Sequence, residues 1–114
     1  MRILVADDDD GFRKALDRHL YALGHTTEMV ENGDELLNML EHEQYDVVIT
    51  DFNMPPGPNG LEVLRRIRYN SGHKRIPVIV FTTTEEIQKR VEKLGGKCAD
   101  KMHVGGLTAI LERL

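Results

Sequence analysis

Four consecutive aspartates, Asp7-Asp8-Asp9-Asp10, end the apolar run Ile3-Leu4-Val5-Ala6, and Asp51 ends the run Val47-Val48-Ile49-Thr50. Thr82 follows the apolar segment Ile76–Phe81, and Lys101 follows the weaker segment Lys97–Asp100. Read as strands, these runs place Asp7, Asp8, Asp51, Thr82 and Lys101 at equivalent carboxyl-end positions. In an open parallel sheet that is where ligands bind. Two bare carboxylates about 4 Å apart repel by ~4 kcal/mol at an effective dielectric of ~20, so the cluster calls for a proton, a lysine or a hard cation. A few carboxylates plus water suit Mg²⁺, with Mn²⁺ as a substitute, and its remaining positions then go to phosphate oxygens. Asp9 and Asp10 read as caps of the following helix, where the helix dipole favours negative charge.

The elements that must position these groups alternate five times between short apolar runs and amphipathic stretches. Phe12, Leu16, Leu20 and Leu23 recur at helical spacing and stop at Gly24. A weak strand over Thr26–Val30 precedes a helix marked by Leu36, Leu37 and Leu40. The Pro/Gly loop Met54–Gly60 leads to a helix carrying Leu61, Leu64 and Ile67. Thr82-Thr83-Thr84 opens another with Ile87, Val91 and Leu94, and a last one runs through Leu107, Ile110, Leu111 and Leu114. Strands one, three and four are continuously apolar, the pattern of parallel strands covered on both faces. The expected fold is therefore α/β: a doubly wound (βα)5 three-layer sandwich around a parallel five-stranded sheet.

Composition fits one such domain over residues 1–114, with no effector domain. The chain is 40% hydrophobic and 30% charged, with a net charge of −4. No apolar run approaches the ~18 residues of a membrane span, so a cytoplasmic protein without membrane contact is expected. Cys98 is the one cysteine, which excludes an internal disulfide, and the five histidines lack metal-binding spacing. Residues 1–57 hold four basic and thirteen acidic side chains, whereas residues 58–114 hold eleven basic and six acidic. This polarity suits a charged ligand or partner; the acidic whole argues against direct nucleic-acid binding. The bases Arg65, Arg66, Arg68, Lys74 and Arg75 read as a solvated face at the end of the third helix.

Ile3–Asp8, Arg13, Asp46–Pro55, Asn59-Gly60 and Pro77–Thr82 together resemble the receiver domain of two-component response regulators, the CheY-like family. The resemblance implies a flavodoxin-like strand order of 2-1-3-4-5. It also implies phospho-acceptance at Asp51 from a sensor histidine kinase, a phosphotransfer protein or a small acyl phosphate. Asp7, Asp8, Asp51 and the backbone carbonyl of Asn53 would hold Mg²⁺, Thr82 would hydrogen-bond the phosphoryl oxygens, and Lys101 would ion-pair with them. Such a protein is a regulatory switch and not a turnover enzyme, acting as a monomer or weak dimer on a downstream protein that the sequence does not name.

The match loosens after residue 82. The stretch from Thr82 to Gly95 is short for the family, which predicts a clipped fourth helix. Cys98 stands where an aromatic residue is usual, and Lys101 is followed by Met102 instead of proline. A trans Lys101–Met102 bond is expected, because a cis non-proline bond costs ~3 kcal/mol. Lys97 competes with Lys101 for the lysine role, although Gly95-Gly96 leaves little strand before it. These departures keep open a degenerate receiver that serves as a constitutive interaction module. A third reading, a Mg²⁺-dependent aspartate-nucleophile phosphatase, draws on Asp8-Asp9-Asp10-Gly11-Phe12 but lacks the second acidic pair, since only Glu112 follows Lys101.

Overall fold

A computed structural model describes residues 1–70, 72–73 and 75–114; of the basic stretch, Lys74 lies outside them. Five strands alternate with five helices: β1 (Arg2–Ala6), α1 (Asp10–Ala22), β2 (Thr26–Val30), α2 (Gly33–His42) and β3 (Val47–Asp51), followed by α3 (Gly60–Tyr69), β4 (Val78–Phe81), α4 (Glu85–Lys93), β5 (Lys97–Ala99) and α5 (Val104–Glu112). All pairings are parallel, and the sheet order is β2-β1-β3-β4-β5. Both the expected architecture and the strand order implied by the resemblance are present.

Continuous apolarity resolves into two faces once the strands are paired. Leu4, Ala6, Val48, Val78 and Val80 point toward Leu36, Leu40, Leu64, Ile67 and Val91 of α2, α3 and α4. Ile3, Val5, Val47, Ile49, Ile79, Phe81 and Ala99 point the other way, onto Leu16 and Leu20 of α1 and Leu107 and Leu111 of α5. Successive strand residues alternate between faces and helices cover both, so the central strands β1, β3 and β4 are apolar on both sides, whereas β2 and β5 at the sheet edges carry exposed polar residues.

Boundaries differ from the sequence reading where backbone chemistry intervenes. The fourth strand begins at Val78 and not at Ile76: Pro77 has no N–H for the ladder, although its carbonyl still accepts from Val48 N at 2.9 Å. The fourth helix starts at Glu85, because Thr82 is taken up in a turn whose hydroxyl accepts from the Thr84 amide at 3.2 Å. α4 has nine residues, the same length as α5. Asn32 and Asn59 cap α2 and α3 by accepting from Glu35 N and Glu62 N, each at 2.9 Å.

Cys98 packs partly buried against the α2–α4 side, where burial first and Glu92 second push its thiol up to about 11. Among the described residues, the cis peptide bond is Pro55-Pro56, so Lys101–Met102 is trans. No described helix is long and apolar enough to cross a membrane.

Arg68 corrects the reading of the basic stretch as a solvated face. Its guanidinium donates to the carbonyls of Leu94 (2.6 Å), Ile76 (2.6 Å) and Gly95 (3.3 Å), tying α3 to the end of α4 and to the approach to β4. Arg65 and Arg66 do face solvent and pair with Glu62.

Candidate functional site

Register brings the strand ends together. Ala6 pairs with Thr50, Asp51 with Phe81, and Phe81 with Ala99, so the next residues on β1, β4 and β5 emerge beside Asp51 at one edge. Asp7 and Asp8 follow β1, Thr82 follows β4, and Lys101 lies two residues past β5. One carboxylate oxygen from each of Asp7, Asp8 and Asp51 lies within 4.8 Å of the others.

Asp7 is fully buried, and several groups fix it. Its amide donates to Val30 O at 3.1 Å, its carbonyl accepts from Arg13 Nη1 at 2.7 Å, and its Oδ1 accepts from Asp9 N at 2.9 Å. The Lys101 ammonium sits 3.0 Å from Asp7 Oδ1, 2.7 Å from Asp7 Oδ2 and 3.3 Å from Asp51 Oδ2. The Oδ2 contact is close but badly angled, which leaves that buried oxygen without a proper hydrogen-bond donor. Asp51 is partly buried, with Oδ1 held by the Phe52 amide at 3.0 Å.

The electrostatics follow from this packing. Burial, then the Asp7 charge, raise the Asp51 pKa above its ordinary value, against the opposing pull of Lys101. For Lys101, burial works against the ammonium, but the hydrogen bond and charge of Asp7, followed by Asp51, outweigh it and leave its pKa raised. One lysine therefore compensates part of a three-carboxylate cluster.

An all-oxygen donor set and the orphaned Asp7 Oδ2 fit a hard divalent cation such as Mg²⁺ or Mn²⁺. Asp8, exposed at the rim, and Asp51 would complete the carboxylate side. Asn53 is exposed two residues past Asp51, on the loop to α3. Thr82 is anchored to β5 by its amide, which donates to Ala99 O at 3.1 Å. Its hydroxyl oxygen accepts from Thr84 N, and among the described contacts it does not reach Asp51. Lys97 begins β5 beside Ile79 and is exposed, at the opposite end of the strand from Asp51. Asp9 caps α1 through Phe12 N at 3.1 Å, and Asp10 pairs with Arg13 and Lys14.

Gly60 fixes how closely α3 approaches the strand end. Its amide donates to Phe52 O at 2.7 Å, and a Cβ there would lie 2.6 Å from Asp51 O. Only glycine fits that contact.

The sequence profile described as the response regulator receiver domain matches residues 3–102. The chain belongs to this family. RpfC, a sensory/regulatory protein of Xanthomonas campestris pv. campestris, is 38% identical over 101 residues, covering 85% of this chain and 14% of that protein. MprA, a response regulator of Mycobacterium avium, is 36% identical over 100 residues, covering 88% of this chain and 42% of that protein. The receiver thus spans less than half the length of either relative. TrrA of Thermotoga maritima, solved in complex with Mg²⁺-BeF, superposes with a TM-score of 0.85 at 29% identity, over 98% of this chain and 96% of that one. TrrA has also been solved in complex with the histidine kinase ThkA, and there it matches with a TM-score of 0.83 at 29% identity, over the same shares of the two chains.

Sequence reasoning missed Phe12 and Arg13 as parts of the receiver's site. Phe12 looked like one more apolar helix position, yet its ring lies under the Lys101 ammonium, 4.5 Å from Nζ to the ring centroid. Arg13 had a place in the motif but no role; its bond to the Asp7 carbonyl depends on where the first turn of α1 lies.

Proposed function

We propose that this receiver takes a phosphoryl group on Asp51 from a phosphohistidine of a sensor histidine kinase or phosphotransfer protein, and that the modification switches a protein-binding surface. The observation that carries the reading is the Lys101 ammonium set between Asp7 and Asp51 beside the convergent carboxylates. In the transfer, an Asp51 oxygen forms a bond to phosphorus in line with the breaking phosphorus–nitrogen bond. The imidazole leaves with that electron pair and takes a proton from solvent. Such a reaction needs mainly positioning and charge neutralisation. Asp7, Asp8, Asp51 and the Asn53 carbonyl would hold Mg²⁺, which when bound neutralises phosphoryl oxygens. Lys101 ion-pairs with the oxygen nearest β5, and Thr82 turns its hydroxyl from the Thr84 amide to donate to another.

A small acyl phosphate can replace the kinase, so no partner is needed for the test. Incubation with acetyl phosphate and Mg²⁺ should add one phosphoryl mass that hydroxylamine removes. Asp51→Asn should abolish it, and Asp9→Asn should leave it nearly intact. A stable modification on histidine or serine would overturn the mechanism. No modification at all would favour the constitutive interaction module.

A further inference from the structure

Lysine is a poor device for holding a charge at a fixed point. Its flexible stem carries roughly 2 kcal/mol of rotamer entropy, and its point charge has no planar fork to set direction. Met102 follows Lys101 through a trans bond, so no proline ring restrains the backbone there. The turn is shaped by Asp100, which accepts from Met102 N at 2.9 Å through its side chain and from His103 N at 3.0 Å through its carbonyl. That fixes the Lys101 backbone but leaves the side chain to find its own path.

Phe12 supplies the path. Lys101 Nζ rests 4.5 Å from the centre of its ring while reaching both Asp7 and Asp51. Phe12 is held at its backbone and along one side of its ring. Asp9 Oδ1 accepts the Phe12 amide at 3.1 Å, and the ring meets Phe81 edge-on, with centroids 5.4 Å apart and planes at 90°. Phe81 is buried and immediately precedes Thr82. A ring face attracts an ammonium, and the attraction is larger where water is partly excluded, as it is for this lysine at 27% exposure.

We propose that Phe12 is a positioning residue that holds the Lys101 ammonium on the Asp7 and Asp51 carboxylates, in place of the constraint a following proline would give. The site then extends from the acidic motif through Phe12 and Phe81 to the lysine. The capping role of Asp9 becomes an indirect part of it. This inference rests on the receiver reading for its consequence in phosphorylation, but not for the geometry itself.

The test is nuclear magnetic resonance on the whole metal-free chain, followed by labelling with acetyl phosphate. In the wild type, the Lys101 ε-methylene protons should resonate upfield of the other lysines, as a position over a ring face requires. Hydrogen exchange of the Lys101 ammonium should be slow in the wild type and in Phe12→Tyr. It should be about five-fold faster in Phe12→Leu, where the ring contact is gone. Phe12→Met provides the same comparison should the leucine variant fold poorly. Labelling of Asp51 should slow by a similar factor in Phe12→Leu and recover in Phe12→Tyr. Mg²⁺ affinity, measured by calorimetry, should stay within about two-fold in both, because the described contacts of the Phe12 ring are with Phe81 and Lys101, and its bond to the Asp9 carboxylate comes from the backbone amide, which both variants keep. Unchanged ammonium exchange in the leucine and methionine variants would overturn the proposal, as would a wild-type Lys101 without the upfield shift. If the wild type takes no phosphoryl group, the phospho-acceptor reading fails, while the exchange comparison still decides the role of Phe12.

Discussion

Asp51→Asn should make the metal-free protein more stable and at the same time remove its stabilisation by Mg²⁺. One oxygen each of Asp7, Asp8 and Asp51 lies within 4.8 Å of the others. At that separation and an effective dielectric of ~20, one pair of full charges repels by about 3.5 kcal/mol. Lys101, 3.3 Å from Asp51, returns about 5 kcal/mol on the same scale, but it is shared with Asp7. The raised pKa of Asp51 says that burial and Asp7 together outweigh that attraction. Asparagine keeps an oxygen for the Phe52 amide and sheds the charge.

A net gain in stability at neutral pH follows from that direction, and each 1 kcal/mol of it raises Tm by about 4 °C for a chain of this size. The sign with pH is also set. A carboxyl whose folded pKa is raised contributes stability below its unfolded value and loses it as pH rises through the folded value. The advantage of the variant should therefore be full only above the raised folded value and disappear as pH falls below the ordinary carboxyl value of 3.8. With Mg²⁺ at ten times Kd the wild type gains about 1.4 kcal/mol and the variant little, so the metal shifts the order toward the wild type. Thermal unfolding in EDTA and in Mg²⁺ across pH reads all of this. A variant less stable than wild type in EDTA at pH 7, or one with a full Mg²⁺ response, would refute the reasoning.

Three further outcomes are expected. Gly60→Ala forces a Cβ to within 2.6 Å of Asp51 O, and urea unfolding should show a loss of about 1–3 kcal/mol. Arg68→Ala removes three charge-assisted bonds to carbonyls and should cost about 2 kcal/mol or more in the same assay, whereas Arg65→Ala, on an exposed pair, should cost under about 1 kcal/mol. Lys101→Met leaves the buried Asp7 carboxylate without its cation; about 3 kcal/mol should be lost in EDTA, and added Mg²⁺ should restore part of it.

Much of this protein is determined by its linear pattern. Continuous apolar runs at Ile3–Ala6, Val47–Thr50 and Ile76–Phe81 read as two-faced strands, and that points to a parallel sheet with helices on both sides. Aspartates that interrupt those runs then fall at the sheet's carboxyl edge, whatever the details of packing. The capping by Asp9 was legible for the same reason: it depends on a neighbour three residues away.

What needed the tertiary structure depends on contacts between distant segments. Lys101 rather than Lys97 reaches the carboxylates because β5 starts at Lys97 and ends beside them, which brings Lys101 to Asp7, 94 residues away. Arg68 looked like part of a charged face until α4 and the approach to β4 brought three carbonyls to it. Phe12 has the spacing of a core residue, and only the meeting of α1, β4 and the turn after β5 places a cation on its ring. Periodicity encodes which face of an element is apolar; it holds no information about which polar atom of another element will arrive there. That is set by register and crossing geometry, which the chain acquires only on folding.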